Sequence, residues 1–136
     1  MQILPHSDAN QGPAEWFTGT VDIQPLKAVS ENSKLSMSSV HFPAGARSAW
    51  HTHPKGQTLY VTDGIGVIQK KGEPVQIIRP GDVIWTEPGE EHWHGASAEN
   101  EMTHLAIQEV DEHGNFAEWH DKVTDEEYGQ QPRPRE

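Results

Sequence analysis

Residues 50–57 read WHTHPKGQ, and this stretch gives the first expectation for the fold. In an extended strand, alternate side chains project from the same face, so His51 and His53 can point at one place in space. Gln57 follows a Pro-Lys-Gly turn and can return a side-chain oxygen to that place. Paired imidazoles on one strand are a common start for a divalent metal site.

A second His-x-His pair, at His92 and His94, repeats this geometry later in the chain. A single histidine is most often a surface residue or a hydrogen-bonded core residue. Two such pairs, each set between β-type residues and glycine turns, are much harder to explain in that way. The pairing therefore predicts a metal centre with nitrogen and oxygen ligands.

The middle of the chain predicts short strands. Turn-forming clusters of Gly, Pro, Asp and Lys recur there at short intervals. Segments rich in Val, Ile, Thr, Trp and Tyr lie between them, at residues 59–62, 67–69, 75–79 and 83–86. This spacing is typical of an all-β sandwich or barrel, and residues 35–110 contain no convincing helical stripe. Residues 124–127 read TDEE, a capping-box pattern that predicts one short helix near the C-terminus.

Composition limits the possible partners. The 136 residues predict a single domain, 1–136, with a core at about 35–110 and a disordered tail at 130–136. Lys and Arg total 10 against 21 Asp and Glu, so the net charge of −11 argues against nucleic acid and membrane surfaces as partners. The absence of cysteine excludes disulfides and thiolate ligands. With no signal-peptide core and no apolar run of ~20 residues, the sequence predicts a cytoplasmic protein.

The late segment at residues 102–108, MTHLAIQ, alternates in an unusual sense. One face is apolar apart from a threonine, and the other contains His104 and Gln108. In a one-sided sheet the apolar face packs inward and leaves His104 in water. In a barrel with a ligand cavity, the polar face lines the cavity instead. Alternation alone leaves both interpretations open, and residues 36–42 show a similar pattern.

The first histidine segment resembles the cupin family, whose members are small β-barrels of jelly-roll topology. The first cupin motif is G-x5-H-x-H-x3-4-E-x6-G. It is matched from Gly45 to Gly64, with both histidines in place and Gln57 at the position of the usual Glu.

The second histidine segment resembles the second cupin motif, G-x5-P-x-G-x2-H-x3-N. Gly81, Gly89 and His92 match it, whereas Glu87 stands at the Pro position and Ala96 at the Asn position. The resemblance implies an all-β, single-domain cupin with a jelly-roll β-barrel, to which the capping box adds a short C-terminal helix. The ligands that it implies are His51, His53, Gln57 and His92.

A closer resemblance, over nearly the whole chain, is to a subgroup of small bacterial cupins that includes manganese-dependent (R)-hydroxynitrile lyases. The matching stretches lie at residues 12–21, 51–59, 88–95, 102–108 and 123–126. In that subgroup Gln57 is the expected fourth ligand. The resemblance implies that His104 and Gln108 lie beside the metal and that Ser38 and Val40 form part of the pocket wall.

This resemblance implies a metal-dependent lyase that cleaves or forms cyanohydrins through a metal-bound hydroxyl and a histidine base. His104, with an ordinary pKa of about 6.5, is the first candidate for the base, His94 is the rival, and Gln108 helps to hold the anion. Mn²⁺ is the expected metal, with Fe²⁺, Ni²⁺, Co²⁺ and Zn²⁺ as alternatives. Neutral ligands would leave the ion its full charge, which stabilises anionic ligands. An Fe(II) or Mn(II) cupin dioxygenase and a non-catalytic small-molecule-binding cupin are the alternative functions.

The expected partners are a small hydroxy or carbonyl substrate and further copies of this chain. Thr103, Leu105 and Ile107 would form an exposed apolar patch on a monomer, which soluble proteins usually cover. Residues 16–21 could add a strand to the sheet edge of a neighbour. A homodimer or homotetramer is therefore predicted.

Overall fold

Short antiparallel strands build two curled sheets around one interior. The computed structural model describes residues 1–132, and the all-β prediction is confirmed there. The strands are β1 (Asn10–Gln11), β2 (Phe17–Thr18), β3 (Asp22–Lys27), β4 (Leu35–Phe42), β5 (Arg47–Ser48), β6 (His51–Thr52), β7 (Gln57–Gly64), β8 (Gly66–Lys70), β9 (Gln76–Ile78), β10 (Val83–Thr86), β11 (His92–Ala96), β12 (Met102–Glu109) and β13 (Glu118–Trp119). The helix is α1 (Asp125–Tyr128).

The strand order fixes which segments lie side by side. The first sheet has six strands in the order β1-β3-β4-β12-β7-β10. The second sheet has the order β13-β6-β11-β5-β2, and β8 joins it by pairing with both β11 and β9. The four strand segments that the sequence predicts correspond to β7, β8, β9 and β10. Neighbouring strands pair in the antiparallel sense, both where a short connection joins them and where they are distant in the chain.

The apolar core lies between the two sheets. Alternation along each strand decides which side chains fill it, because successive residues point to opposite faces. In β7, Leu59 and Val61 are fully buried, whereas Tyr60 between them is exposed. These two pack in one cluster with Phe42 of the first sheet and Ala96 of the second. The same alternation brings polar side chains of β4, β7 and β12 to the interior at one end of the barrel.

Gly64, the last glycine of the first motif, allows two strands to meet closely. Its φ is +80°, a backbone conformation that favours glycine. A Cβ at this position would lie 1.9 Å from the carbonyl oxygen of Glu101. A side chain is therefore excluded where β7 passes into β8 beside the start of β12.

The predicted capping box begins α1. The Thr124 side chain accepts a hydrogen bond from the Glu127 amide, and the Glu127 carboxylate accepts one from the Thr124 amide. The buried Tyr128 then donates a hydrogen bond of 2.6 Å to the Ala96 carbonyl of β11, which attaches the helix to the second sheet. No helix within residues 1–132 has the length and apolar character needed to cross a membrane.

Two residues that follow α1 lie against the protein. Gln131 and Pro132 are half-buried, and Gln131 Nε2 donates a hydrogen bond to the Tyr128 carbonyl at 3.0 Å. The anchored helix holds the residues that follow it near the sheet, and the disorder expected for residues 130–136 stays a prediction. Residues 133–136 of that tail lie outside the described residues.

Candidate metal centre

Three buried histidines converge at one place inside the barrel. His51 of β6 and His92 of β11 are directly opposite each other in the antiparallel register, and His53 lies just after β6. The candidate ligand atoms of the three side chains lie within 4.8 Å of one another. Each residue is at most 2% exposed. A bound ion would therefore be shielded from bulk water.

Backbone carbonyl groups fix the tautomer of all three rings. A carbonyl oxygen can only accept, so the Nδ1 atom that bonds to it must carry the hydrogen, and Nε2 is left with a free lone pair. The bonds run from His51 to Ala49 (2.8 Å), from His53 to Phe116 (2.8 Å) and from His92 to Glu90 (3.0 Å). The three Nε2 lone pairs of this cluster are therefore all available to bind one cation.

Burial keeps these rings neutral. Loss of hydration lowers the pKa of His53 to about 4, and it lowers the pKa of His51 well below the ordinary value. The pKa of His92 is lowered for the same reason. Neutral imidazole is the form that binds a metal ion, so the cluster needs no deprotonation at pH 7.

Gln57 approaches the cluster from the first strand position of β7. The preceding Gly56 has φ +76°, and a Cβ there would lie 2.7 Å from the Thr86 carbonyl oxygen, so the turn needs glycine. Gln57 is 5% exposed, and its Nε2 donates a hydrogen bond of 3.0 Å to Gln108 Oε1. Its oxygen is left free of that bond.

The unpartnered atoms of the site match a divalent cation. Within residues 1–132, the buried atoms His53 Nε2, Gln57 Oε1 and His92 Nε2 have no hydrogen-bond partner. Each such buried polar atom costs about 1–3 kcal/mol when nothing satisfies it. One cation would satisfy these lone pairs together with that of His51. Three imidazole nitrogens and one amide oxygen suit Mn, Fe, Co, Ni or Zn, so the residues fit the implied metal.

His94 and His104 form a hydrogen-bonded pair beside these residues. His104 Nε2 lies 3.0 Å from His94 Nδ1, and both rings are buried. The His94 ring centroid lies 5.2 Å from that of His51 and 5.7 Å from that of His92, so His94 contacts the cluster directly.

The ordinary pKa expected for His104 is wrong in this environment. Loss of hydration on burial lowers its pKa from 6.5 to about 4. Burial also lowers the pKa of His94 well below the ordinary value, and the neighbouring His104 adds to this effect. At pH 7 the pair is therefore neutral and shares one proton in its hydrogen bond.

A cavity of about 230 Å³ adjoins the histidines. His104 and Gln108 of β12 line it, so the structure places the polar face of the late strand inward. Ser38 and Val40 of β4 line it too, where the resemblance placed them. Among the described residues, the lining contains no carboxylate, ammonium or guanidinium group. The cavity is thus uncharged apart from what it binds.

Aromatic side chains from outside the central strands complete the cavity wall. Trp16 and Trp119 stack with ring centroids 4.7 Å apart, and Trp119 stacks in turn on His51 at 4.6 Å. Phe17 and Phe116 line the same cavity. The strand pattern in the sequence does not identify these four residues as cavity lining. The available signal was the presence of aromatic residues in otherwise polar segments near both ends of the chain.

Metal analysis tests the proposed ligands directly. We expect purified protein to carry about one divalent ion per chain, which chelation removes. His51→Ala and His92→Ala should each lose most of this occupancy, because each removes one of the convergent lone pairs. Inductively coupled plasma mass spectrometry measures the ratio, and His113→Ala, at an exposed histidine, is the matched control. Full occupancy in either cluster variant would contradict the assignment.

Acid should destabilise the metal-free protein through its buried histidines. His104 has a folded pKa of about 4 against an ordinary 6.5, so the unfolded chain takes up the proton first as the pH falls. The contribution of His104 to the free energy of unfolding is complete above pH 6.5 and is lost as the pH falls through about 4. The change in this free energy is about 3 kcal/mol for this group. Urea unfolding between pH 8 and 4 measures it. His104→Gln should show a correspondingly shallower decline, and identical profiles would contradict the prediction.

Comparison with known proteins identifies relatives of the whole chain. The sequence matches the family described as Cupin domain over residues 38–108. It is also 53% identical over 120 residues to the (R)-mandelonitrile lyase of Granulicella tundricola, an alignment that covers 88% of this chain and 91% of that protein.

Solved structures agree with this relationship. A cupin-like protein from Thermotoga maritima has a TM-score of 0.82 at 36% identity, over 96% of this chain and 98% of its own. A cupin-2 domain from Rhodospirillum rubrum shares the fold, with a TM-score of 0.70 at 15% identity, over 90% of this chain and 79% of its own. By its sequence and by its fold, the chain belongs to the cupin family.

Proposed function

We propose that this cupin is a metal-dependent lyase that cleaves or forms cyanohydrins. The observation that carries the proposal is the neutral cluster of His51, His53, His92 and Gln57 beside a buried histidine pair, next to one uncharged cavity. The relative from Granulicella tundricola is named (R)-mandelonitrile lyase, which supports the same activity. The substrate class is a small cyanohydrin, with the carbonyl compound that corresponds to it.

The metal ligands in this proposal are all neutral. Three imidazoles and one amide would hold the ion, so it would retain its full positive charge. When bound, such an ion supplies Lewis acidity that favours the anionic form of a substrate oxygen. Mn²⁺ is the proposed metal, and Fe²⁺, Ni²⁺, Co²⁺ and Zn²⁺ are the alternatives that the same donor set accommodates.

The pair of His94 and His104 is the proposed acid–base group. His94 Nε2 and His104 Nδ1 are buried and have no hydrogen-bond partner within residues 1–132. Whichever ring donates the shared hydrogen bond, the outer nitrogen of that same ring presents a free lone pair, because a neutral imidazole carries only one hydrogen. The neutral pair can therefore accept one proton from a substrate in the cavity.

The proposed cleavage needs two proton transfers, one from the substrate to the histidine pair and one from the pair to cyanide. The histidine pair accepts the hydroxyl proton of the cyanohydrin, and a carbon–oxygen double bond forms as the carbon–carbon bond to the nitrile breaks. Cyanide leaves with the electron pair of that bond. The pair then returns the proton to cyanide, so the products are a carbonyl compound and hydrogen cyanide, and the reverse sequence forms the cyanohydrin.

The aromatic wall favours an apolar substituent on the substrate. Trp16, Phe17 and Phe116 line the cavity. Flat rings of this kind hold an aromatic group by stacking or edge contacts. Because the lining contains no charged side chain in the described part of the chain, a charged substituent would lose its hydration without compensation.

Mandelonitrile cleavage tests the proposed activity. We expect the metal-loaded protein to release benzaldehyde, which is measured by its ultraviolet absorbance. His94→Ala and His104→Ala should each lower kcat by about 10²–10⁴-fold at verified metal content, because acid–base groups usually contribute that much. His113→Ala is the control, since that histidine is exposed and does not line the cavity.

Other outcomes would identify the alternative functions. A metal-loaded wild-type protein without activity would overturn the lyase proposal. Oxygen uptake that depends on added Fe(II) would indicate a cupin dioxygenase. Reversible binding of small carbonyl compounds without turnover would indicate a binding protein.

We also propose that the chain forms a homodimer, or a homotetramer built from dimers, through one face of the six-stranded sheet. Six outward-facing residues of β7, β10 and β12 lie side by side in the strand register: Thr58, Tyr60, Val83, Trp85, Leu105 and Ile107. Val83 is 64% exposed and Trp85 is 54% exposed. None of the six is charged, so two copies of a chain with net charge −11 can meet there without opposing carboxylates.

The terminal strand predicted to join a neighbour has a partner within its own chain. Phe17–Thr18 pairs with Arg47–Ser48 of the second sheet. Addition of this strand to a neighbour's sheet stays a prediction, because β2 ends its own sheet. The outer face of the six-stranded sheet offers a second route to assembly, since sheet faces pack well on one another at about 10 Å.

Sedimentation measures the proposed assembly. We expect the wild-type protein to sediment as a dimer or tetramer and Trp85→Glu to dissociate toward the monomer, because a carboxylate would be buried in the interface. Val29→Glu is the matched control, because Val29 is 44% exposed but lies outside the outer face. A monomeric wild type, or an unchanged Trp85→Glu assembly, would contradict the proposal.

A further inference from the structure

A row of side-chain hydrogen bonds ends at the candidate metal centre. Gln57 Nε2 donates to Gln108 Oε1 at 3.0 Å, and Gln108 Nε2 donates to Ser36 Oγ at 2.9 Å. Ser36 and Gln108 are directly opposite each other on β4 and β12, and Gln57 lies on β7, the next strand of the sheet. The row therefore crosses three adjacent strands inside the cavity.

The direction of this row decides whether Gln57 can bind a cation. A glutamine amide has an acceptor end and a donor end of nearly equal shape. With its oxygen toward His51, His53 and His92, Gln57 completes a set of four lone pairs. With its NH₂ group in that place, it would present donor hydrogens that repel a cation. Reversing every hydrogen bond of the row would retain the same number of bonds, so the row alone does not determine the orientation of the Gln57 amide.

The backbone carbonyl of Gln108 makes the choice. Ser36 Oγ donates a hydrogen bond to this carbonyl at 3.4 Å, and a carbonyl oxygen can only accept. The hydroxyl proton of Ser36 is thereby committed, so Ser36 Oγ must accept from Gln108 Nε2. Gln108 Oε1 then faces Gln57 and accepts from its Nε2. Gln57 Oε1 is left buried and unpartnered among the described residues.

We propose that Ser36 and Gln108 are positioning residues that hold the amide of Gln57 with its oxygen toward the three imidazoles. The inference rests on the proposed metal centre. It gives Gln108 a role in metal affinity, in place of direct contact with a substrate anion. Hydrogen-bond partners of metal ligands typically change metal affinity by about 10–100-fold when removed.

A double-mutant cycle on Mn²⁺ affinity tests this role. We expect Gln108→Leu to raise the Kd for Mn²⁺ by about 10–100-fold, measured by competition with a chelator on the full chain. A carboxylate presents oxygen in either orientation, so Gln57→Glu should still bind Mn²⁺ and should no longer need orientation. In the Gln57→Glu background, Gln108→Leu should therefore change the Kd by less than about threefold.

Ser36 provides a second and smaller change. Ser36→Ala should weaken Mn²⁺ binding in the wild-type background and have little effect in the Gln57→Glu background, and Ser36→Thr should retain affinity because it keeps the hydroxyl. Ser39→Ala, at an outward-facing position of the same strand, is the matched control. Circular dichroism shows whether Gln108→Leu folds. If it does not fold, the serine variants are used to test the proposal.

The outcomes separate this inference from the proposed function. An unchanged Kd in Gln108→Leu, or an equal loss in both backgrounds, would overturn the positioning role, because a merely structural effect does not depend on the chemistry of residue 57. A Gln57→Glu protein that binds no Mn²⁺ would also overturn it. A wild-type protein that binds no divalent ion would overturn the metal centre itself.

Discussion

Three backbone carbonyl groups determine what the interior of this barrel can bind. Ala49, Glu90 and Phe116 each accept a hydrogen bond from Nδ1 of a cluster histidine, which turns every Nε2 lone pair toward the same place. Ala49 and Glu90 lie two residues before the histidines that they orient, so the extended strand supplies these bonds locally. Phe116 is 63 residues from its histidine, so this ligand is oriented only when the segment before β13 is in place.

The side chains that line the cavity within the described part of the chain carry no fixed charge. The chain carries 21 acidic residues, yet the cavity lining within residues 1–132 contains none of them. Burial lowers the pKa values of the cavity histidines, so they contribute no positive charge at pH 7 either. In such surroundings a bound cation would be the dominant local charge, and its field would be screened little.

The features that the sequence predicted are those with short-range causes. The spacing of His51 and His53 follows from the two-residue period of a strand, and the Thr124 capping box is complete within four residues. The inward position of His104 was left open, because alternation separates two faces without showing which one meets a cavity. The bond between His94 and His104 depends on strands of different sheets, so no local pattern contains it.

The aromatic residues of the cavity wall are even harder to predict from local sequence patterns. Trp16 and Trp119 stack although they lie at opposite ends of the sequence, and only the closed barrel brings them together. Each is an unremarkable aromatic residue in its own segment. Their contact with each other, and that of Trp119 with His51, is a property of the tertiary fold.

The residues of the site come from two different parts of the chain. The cluster and the histidine pair lie within residues 38–108, the span that matches the cupin family, whereas Trp16, Phe17, Phe116 and Trp119 lie outside it. Substitutions in the terminal segments can therefore alter the shape of the cavity while the cluster histidines keep their strands and register. Trp119 is the exception, since it stacks on the His51 ring, and a substitution there would also disturb the histidine cluster.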